Sequence, residues 1–333
     1  MIISRTPFRI SFFGGGTDYA PWYREHGGKV LACTFNRYCY ISARYLPPFF
    51  DKRSRIVWSR IELVDQPEEI QHPAVRAGLQ FLDIRQGVEI HHDGDLPART
   101  GLGSSSAFTV GLLHALYALK GAMVSKATLA RDAIHVEHDL LKESVGVQDQ
   151  IQVAHGGINV IRIRNDGGFE LSPVVLTPAR RQALHERMML FFTGIARFAS
   201  EVAESQIRAI PKRQSEMRAI AGLVDESLDV LVSGRDLRDF GRMLDDSWRL
   251  KRSLSSAVSN DHVDRIYAAA RAAGALGGKL LGAGGGGFML LFAEPEDQAR
   301  IRTALGSLLE IPFEFEFSGS EIIFFDHAAG AAP

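Results

Sequence analysis

The sequence predicts an α+β chain in two lobes with a ligand cleft between them. Three observations carry this. The 333 residues exceed the length at which one hydrophobic core usually stops growing. The first 65 positions favour strands, Phe8, Ile10 and Phe12 alternating with Arg9, Ser11 and Phe13 at the two-residue period of a pleated surface. The second half mixes helix-period segments with short apolar runs, as a mixed lobe does. Hydrophobic residues at 46% and charged residues at 23% are ordinary globular values, so the chain can bury a large core.

After the opening strand, Gly14 to Gly16 punctuate the chain, and Tyr38–Tyr45 and Arg55–Trp58 continue in strand style. Pro73–Leu82 predicts a short helix, and Val88–His92 a strand that delivers the chain to a Gly/Ser stretch. Small and apolar residues from Ser105 to Lys120 suit a buried helix. Ser125 is the expected N-cap of the next helix, in which Leu129, Ala133, Val136 and Leu140 recur at helical spacing and which Gly146 ends. A short helical segment follows Asp149. Ile158–Ile163 and Phe169–Val175, joined by Asn165-Asp-Gly-Gly168, predict a hairpin, and Pro178 opens a helix. Beyond it the pattern predicts a strand over 188–193, helices over 200–232, 236–254, 261–273 and 295–308, and strands over 278–281, 287–292, 311–317 and 321–325. The lobe boundary falls near 180, dividing the chain into 1–180 and 181–333, with a fraying tail from Ala328 to Pro333.

Thirty-eight basic residues against 39 acidic ones leave a net charge of -1, so no global field draws the chain to nucleic acid or to an anionic lipid surface. No segment reaches 18 uncharged apolar residues, which argues against a membrane span. Met1–Phe13 carries Arg5 and Arg9 within its apolar run and lacks a small-residue cleavage site, so it does not read as a signal peptide. Cys33 and Cys39 have no second pair to complete a zinc site or a disulfide framework and read as buried thiols of a reducing cytoplasm.

Three stretches carry chemistry. In Pro97–Ala107, Gly101 and Gly103 remove side chains where a ligand would touch backbone, and Leu102 lies between them. Ser104, Ser105 and Ser106 follow at the start of a helix, whose positive end favours phosphate. Taken alone, the same residues also describe a helix cap with no ligand. Gly277–Gly287 holds seven glycines in 11 positions, Gly284 and Gly285 among them, more than a hairpin turn needs. Gly14-Gly15-Gly16-Thr17-Asp18 ends the first strand and presents a carboxylate, with Arg9 upstream to hold anionic charge. An Asp after glycines is also an ordinary turn residue.

The order Thr6-Pro-Phe-Arg9 to Thr17-Asp18, then Pro97-x-x-x-Gly-Leu-Gly-Ser-Ser-Ser-Ala107, then Lys279-Leu-Leu-Gly-Ala-Gly-Gly-Gly-Gly287 resembles the three motifs of the GHMP kinases, the galactokinase, homoserine kinase, mevalonate kinase and phosphomevalonate kinase superfamily. Its first and third motifs are most similar to those of heptose 7-phosphate kinases, with L-fucose kinases close by. The resemblance implies a ribosomal S5 domain 2-like N-terminal lobe that binds ATP, a ferredoxin-like C-terminal lobe, ATP and Mg2+ as cofactors, and phosphorylation of the C1 hydroxyl of a sugar phosphate. It implies that Pro97 and Gly101 to Ser106 wrap the ATP phosphates, that Ser105 and Glu137 hold Mg2+, and that Asp149 is the catalytic carboxylate with Arg9 beside it. Gly15, Gly16, Thr17, Asp18, Gly284 and Gly285 would line the sugar site. Gly15 departs from galactokinases, which carry Glu there. A sugar phosphate and, at most, a second copy in a homodimer are the expected partners. A fucose acceptor, a mevalonate-like acceptor and a non-catalytic sensor stay open as alternatives.

Other polar clusters read more plainly. His135, His138 and Asp139, and His91, His92 and Asp93, lack the spacing of a third zinc ligand and read as surface or cap residues. Trp248, Lys251 and Arg252 share a helix. Lys251 is either a basic stem on a surface helix or the partner of a second substrate phosphate, a role for which Arg37, Arg44, Lys52, Arg53 and Arg55 compete.

Overall fold

The computed structural model describes residues 1–98, 100–195 and 199–326; the tail expected to fray, Ala328 to Pro333, lies outside them. The first lobe contains β1 (Ile2–Phe13), α1 (Ala20–His26), β2 (Gly28–Tyr45), β3 (Ser54–Val57), β4 (Ile61–Val64), α2 (Pro73–Phe81), β5 (Val88–Gly94), α3 (Ser104–Leu119), α4 (Lys126–His135), α5 (Gln148–His155), β6 (Ile158–Ile163), β7 (Phe169–Pro173) and α6 (Pro178–Glu186). Then come β8 (Met188–Phe192), α7 (Ala199–Ala209), α8 (Gln214–Val232), α9 (Leu237–Leu254), α10 (Asp261–Ala272), β9 (Gly277–Leu280), β10 (Phe288–Phe292), α11 (Pro295–Ala304), β11 (Leu309–Glu310), β12 (Phe315–Glu316) and β13 (Glu321–Phe325).

The strands form two sheets. One runs in the order β13-β1-β2-β5-β3-β4, with β6 and β12 also pairing to β2 and β7 to β6; the other runs β11-β8-β10-β9. Strand β2 is long enough to hold β6 along Gly28–Cys33 and β5 along Cys39–Tyr45. The chain's last two strands return to the first sheet, β12 beside Thr34 and Phe35 and β13 antiparallel to the start of β1. Residue 180 falls in α6, the helix that carries the chain from one sheet to the other.

Helix α3 is apolar around its whole girth and packs on β1 and β2, so it forms the centre of the first lobe. Its residues join a core that extends through Phe240 of α9 to Leu190, Phe288 and Phe292 of the second sheet. Phe12 and Phe13, at the end of β1, meet Phe240 of α9 edge-on at 5.6 and 5.0 Å, and Phe240 meets Phe292 of β10 at 5.8 Å. The two sheets therefore share one aromatic seam at the end of β1.

Several predicted elements differ in extent. Helix α1 lies in what reads as strand-rich sequence; it has Pro21 in its first turn and no side-chain cap at Tyr19. The single helix expected over 200–232 is broken by a 3₁₀ turn at Ile210–Lys212, because Pro211 removes an N–H from the ladder. Ser125 does cap α4, its hydroxyl accepting from the Thr128 N–H at 3.1 Å. The helix does not reach Gly146: after His135 it widens into a π turn over Val136–Leu140, with the Leu141 N–H reaching the Val136 carbonyl. The inserted residue rotates the face beyond it, so Leu140 is 44% exposed, while Glu137, four residues after the buried Ala133, stays on the buried face.

Candidate active site

Strand β1 carries Arg9 into the seam between the sheets, where it is almost wholly buried. Its Nε and Nη2 donate to Oδ1 and Oδ2 of Asp149, both at 2.7 Å, and its Nη1 donates to the Gly101 carbonyl at 2.6 Å. The planar guanidinium thus fixes the Asp149 carboxylate by two parallel bonds and the Gly/Ser loop by a third. Asp149 stands in the first turn of α5 and keeps 20% of its side chain exposed, so its carboxylate faces both the buried arginine and the open side of the site.

The loop itself explains its glycines. Gly101 and Gly103 have φ of 81° and 73°, in the left-handed region. A Cβ at Gly103 would lie 3.1 Å from Cγ of Arg9 and 3.3 Å from Oδ2 of Asp149, crowding the pair. Gly103 caps α3, so the positive end of a sixteen-residue helix begins at Ser104–Ser106, directly beside that pair. Leu102 is buried beneath the loop, Pro97 is exposed at its entrance, and the Pro97 carbonyl accepts from the Thr100 hydroxyl at 2.8 Å. The second glycine run lies backbone to backbone against the first. A Cβ on Gly282 would come within 2.3 Å of Cα of Gly101, and one on Gly287 within 2.1 Å of the Thr100 carbonyl oxygen. Gly284 and Gly285 face the turn before α10: the Gly285 N–H donates to the Val258 carbonyl at 2.9 Å, and a Cβ on Gly284 would sit 2.6 Å from that oxygen.

Glu137 lies beneath the start of α3. Its Oε2 accepts from Ser106 Oγ at 3.0 Å and from the Gln150 amide, whereas Oε1 has no partner among the described residues. Burial pushes its carboxyl up to about 7, against the pull of the hydroxyl and amide groups around it. Helical spacing from the buried Ala130 and Ala133 points this acid inward. Of the three serines, the structure brings Ser106 to Glu137 and leaves Ser105, the residue before it, exposed at the helix start. Among the described residues no three His, Cys, Asp or Glu gather as a metal cage. A hard cation at Glu137 would therefore take most of its oxygens from phosphate and water, as Mg2+ does; the orphaned Oε1 and the neighbouring serines suit that ion.

Asp18 closes the other side. Its Oδ1 accepts from the Gly16 N–H at 2.9 Å, and its Oδ2 from the Gln148 side-chain amide at 3.0 Å. Burial raises its pKa, and the charge of Asp149 raises it further. The Thr17 hydroxyl, fully buried, accepts from the Lys29 N–H at 3.0 Å and lies 2.8 Å from the Gly14 carbonyl, so it holds the turn together.

Two family models match this chain: the GHMP kinases N-terminal domain over residues 70–157 and the GHMP kinases C-terminal domain over 223–311. The chain belongs to the GHMP kinases. It is an ATP-dependent phosphotransferase of mixed α/β fold. It is 27% identical over 318 residues to the D-glycero-alpha-D-manno-heptose 7-phosphate kinase of Campylobacter jejuni, covering 91% of this chain and 93% of the relative. It is 24% identical over 322 residues to a bifunctional fucokinase/GDP-fucose pyrophosphorylase of Arabidopsis thaliana, covering 88% of this chain and 30% of that protein. Among solved structures, a D-glycero-D-manno-heptose 1-phosphate kinase from Bacteroides thetaiotaomicron superposes with a TM-score of 0.79 at 22% identity, covering 96% of this chain and 98% of that one.

In this GHMP kinase Lys251 is neither on the surface nor free. It is 7% exposed, and its Nζ donates to the carbonyls of Leu280, at 3.2 Å, and Gly282. Burial, with Arg9 nearby, pulls its ammonium down to about 7, against the attraction of Asp18. Lys279, at the start of the third motif, is equally buried and donates from Nζ to the Phe12 carbonyl at 2.9 Å, tying β9 to the end of β1. Of the competing bases, Arg44 and Arg55 both pair with Glu89, and Lys52 pairs with Asp65 at 2.6 Å. Arg37 spends its guanidinium on the Asn36 and Pro312 carbonyls, and Arg53 reaches the Arg85 carbonyl at 3.4 Å.

Gln148, Gln150, Ser11 and Lys279 join the site without having been singled out from sequence. The period-two alternation from Arg9 to Ser11 and the polar run Gln148-Asp-Gln150 were the available signals.

Gly146 gives a direct test of the Asp18 geometry. A Cβ there would lie 1.7 Å from Oδ2 of Asp18, so Gly146→Ala is expected to cost about 1–3 kcal/mol as the carboxylate is displaced. Gly222, in α8, has nothing within 4 Å of its Cβ position, so Gly222→Ala is expected to stabilise by about 0.5–1 kcal/mol. Urea unfolding of the two variants reads both signs; equal effects would contradict the close approach at Gly146.

Proposed function

We propose that this kinase transfers the γ-phosphoryl group of ATP to the C1 hydroxyl of D-glycero-D-manno-heptose 7-phosphate, giving the 1,7-bisphosphate used in nucleotide-heptose and surface-polysaccharide synthesis. The observation that carries the reading is the Arg9–Asp149 bidentate pair, set at the positive end of α3 and beside a backbone loop that only glycine can form. The heptose 7-phosphate kinase relative, aligned over nearly the whole of both chains, supports the choice of acceptor.

In this reading Gly101 to Ser106, with Pro97 at the rim, bind the ATP phosphates, and Ser105 and Glu137 hold Mg2+, which when bound neutralises charge on the β and γ oxygens. Asp149 faces the acceptor hydroxyl and takes its proton as the oxygen bonds to the γ-phosphorus and the bond to the bridging oxygen of ADP breaks. Arg9 keeps the Asp149 carboxylate in place and adds positive charge next to the phosphoryl group. Asp18, with the Gly15–Thr17 turn that holds it, accepts hydrogen bonds from sugar hydroxyls, and Gly284 and Gly285 shape the far wall. For Lys251, its hold on the Leu280 and Gly282 carbonyls supports a role in fixing the glycine run, and pairing with a substrate phosphate would have to compete with those two carbonyls.

The test is release of ADP by the purified protein with ATP, Mg2+ and a panel containing D-glycero-D-manno-heptose 7-phosphate, the unphosphorylated heptose, L-fucose and mevalonate. Turnover with the heptose 7-phosphate at least tenfold above the others is expected. Preferred turnover of L-fucose, to which the fucokinase relative points, would overturn the choice of acceptor. Equal use of the two heptoses would remove the need for a phosphate partner.

A further inference from the structure

Tyr117 and Tyr267 each give their hydroxyl to an aspartate at 2.6 Å, Asp132 and Asp245, as tyrosines drawn into a protein usually do. Tyr19 does not, although it follows Asp18 directly in the chain. Among the described residues nothing bonds to its hydroxyl, and that oxygen is not one of the unpartnered polar atoms sealed inside the chain, so it shares the 9% of the residue that stays accessible. The side chain is thus buried except where its one polar group can be reached.

The fold sets that hydroxyl beside the acceptor carboxylates. Tyr19 caps α1 directly after the Gly14–Asp18 turn, its N–H donating to the Gly16 carbonyl at 3.3 Å. Its ring lies in an apolar cluster with Trp22, Met217 and Leu254, against which Ala283 of the second glycine run packs. Met217 also borders the turn, its Cε 3.7 Å from the Cβ position of Gly16. The ring therefore fills the corner where the first glycine turn, α8, α9 and the second glycine run meet. Burial holds the phenol proton on, Asp18 and Asp149 add to that hold, and Arg9 opposes it, so the charges that act on this hydroxyl are those of the site itself.

These surroundings narrow what the hydroxyl can meet. The phenol stays protonated through the neutral range and offers one hydrogen bond. An oxygen that accepts this bond stands near two carboxylates, and Arg9 is already engaged by one of them. An anionic oxygen is repelled there. A neutral hydroxyl is not, and because a hydroxyl both donates and accepts, its own proton is free to go to a carboxylate.

We infer that Tyr19 donates its phenol hydrogen bond to a neutral hydroxyl of the acceptor sugar, beside Asp18, and so helps to set which sugar is held for transfer. This rests on the sugar-kinase reading above. The ring packs the corner and the hydroxyl binds; removing the hydroxyl takes no hydrogen bond from the folded chain and one from the complex.

The experiment compares the parent with Tyr19→Phe by urea unfolding, by steady-state kinetics with D-glycero-D-manno-heptose 7-phosphate, L-fucose and ATP, and by calorimetric binding of the two sugars. The urea midpoint is expected to stay where it is. The KM and the calorimetric Kd of the sugar that is turned over are expected to rise about fivefold, the worth of one hydrogen bond between neutral groups. The KM for ATP stays within about twofold, and kcat changes less than the sugar KM. Among monodeoxy forms of that sugar, the one lacking the hydroxyl that Tyr19 meets is expected to bind parent and variant alike, while the others keep the difference. An unchanged sugar KM and Kd, whatever the midpoint, overturns the assignment, and so does a rise borne by ATP instead of the sugar; both leave the kinase reading intact. A parent that neither binds nor phosphorylates any sugar of the panel overturns both.

Discussion

Asp149→Asn is expected to lower turnover about a thousandfold while the affinity for ATP stays within about twofold of the parent. The substitution keeps the shape of the side chain and leaves one oxygen able to accept from Arg9, but it removes the group proposed to take the acceptor proton. Arg9 holds both carboxylate oxygens at 2.7 Å and the Gly101 carbonyl at 2.6 Å, so the neutral amide also forfeits a charge-assisted bond to a buried cation, at about 1.5–3 kcal/mol of stability. The two consequences separate in measurement, since single-turnover kinetics report the chemistry and urea unfolding reports the pair. A loss of less than tenfold in kcat, with the full loss of stability, would make Asp149 a support for Arg9 and not the base.

Glu137→Gln is expected to make the metal-free protein more stable at pH 8 and at the same time to abolish its use of Mg2+. The sign follows from the carboxyl, which burial pushes up to about 7 from its ordinary 4.5. A group whose pKa is raised on folding contributes fully below its unfolded value, and that contribution is lost as pH rises through the folded value. Between pH 5 and pH 8 the parent therefore loses on the order of 3 kcal/mol through this one side chain, and the amide, which cannot ionise, loses none. Denaturation midpoints near parity at pH 5 and diverging by pH 8 are the expected result. Added Mg2+ is expected to recover the stability of the parent at pH 8 and not of the variant, and kcat with Mg·ATP to fall by a factor of 100 or more. A gap between the two proteins independent of pH would show that Glu137 is not held near neutrality.

The reach of sequence reasoning can be followed through single residues. Arg9, Asp18 and the Gly101–Ser106 turn were legible because their residue types state a local chemistry, Asp149 because the family resemblance pointed to it, and the hairpin of β6 and β7 because of its turn. Helix α1 was not, being seven residues long and lacking a side-chain cap. Glu137 was found by its distance from Asp149 together with the family resemblance, but the helical period put Leu140 inside as well; a π turn, invisible to a fixed period, turns Leu140 out. Lys251 reads as a surface stem or a phosphate partner because charge and periodicity say nothing of carbonyls 29 and 31 residues away that accept its hydrogen bonds. Gln148 stays hidden for the same reason, its bond to Asp18 spanning 130 residues.

The return of the chain's end to its beginning has a consequence for how the protein is made. Strand β1 carries Arg9 in its second half, and its first half is paired on one side by β13, from Ile2 against Phe325 to Arg5 against Glu321. A ribosome delivers the first of these partners some 320 residues before the second, so while the rest of the chain emerges this edge of β1 stays unpaired and open to other strands. The side chain that grips the Asp149 carboxylate thus sits on a strand made long before the one that covers its edge, and nascent chains stalled before residue 321 are expected to be the species that chaperones must shield.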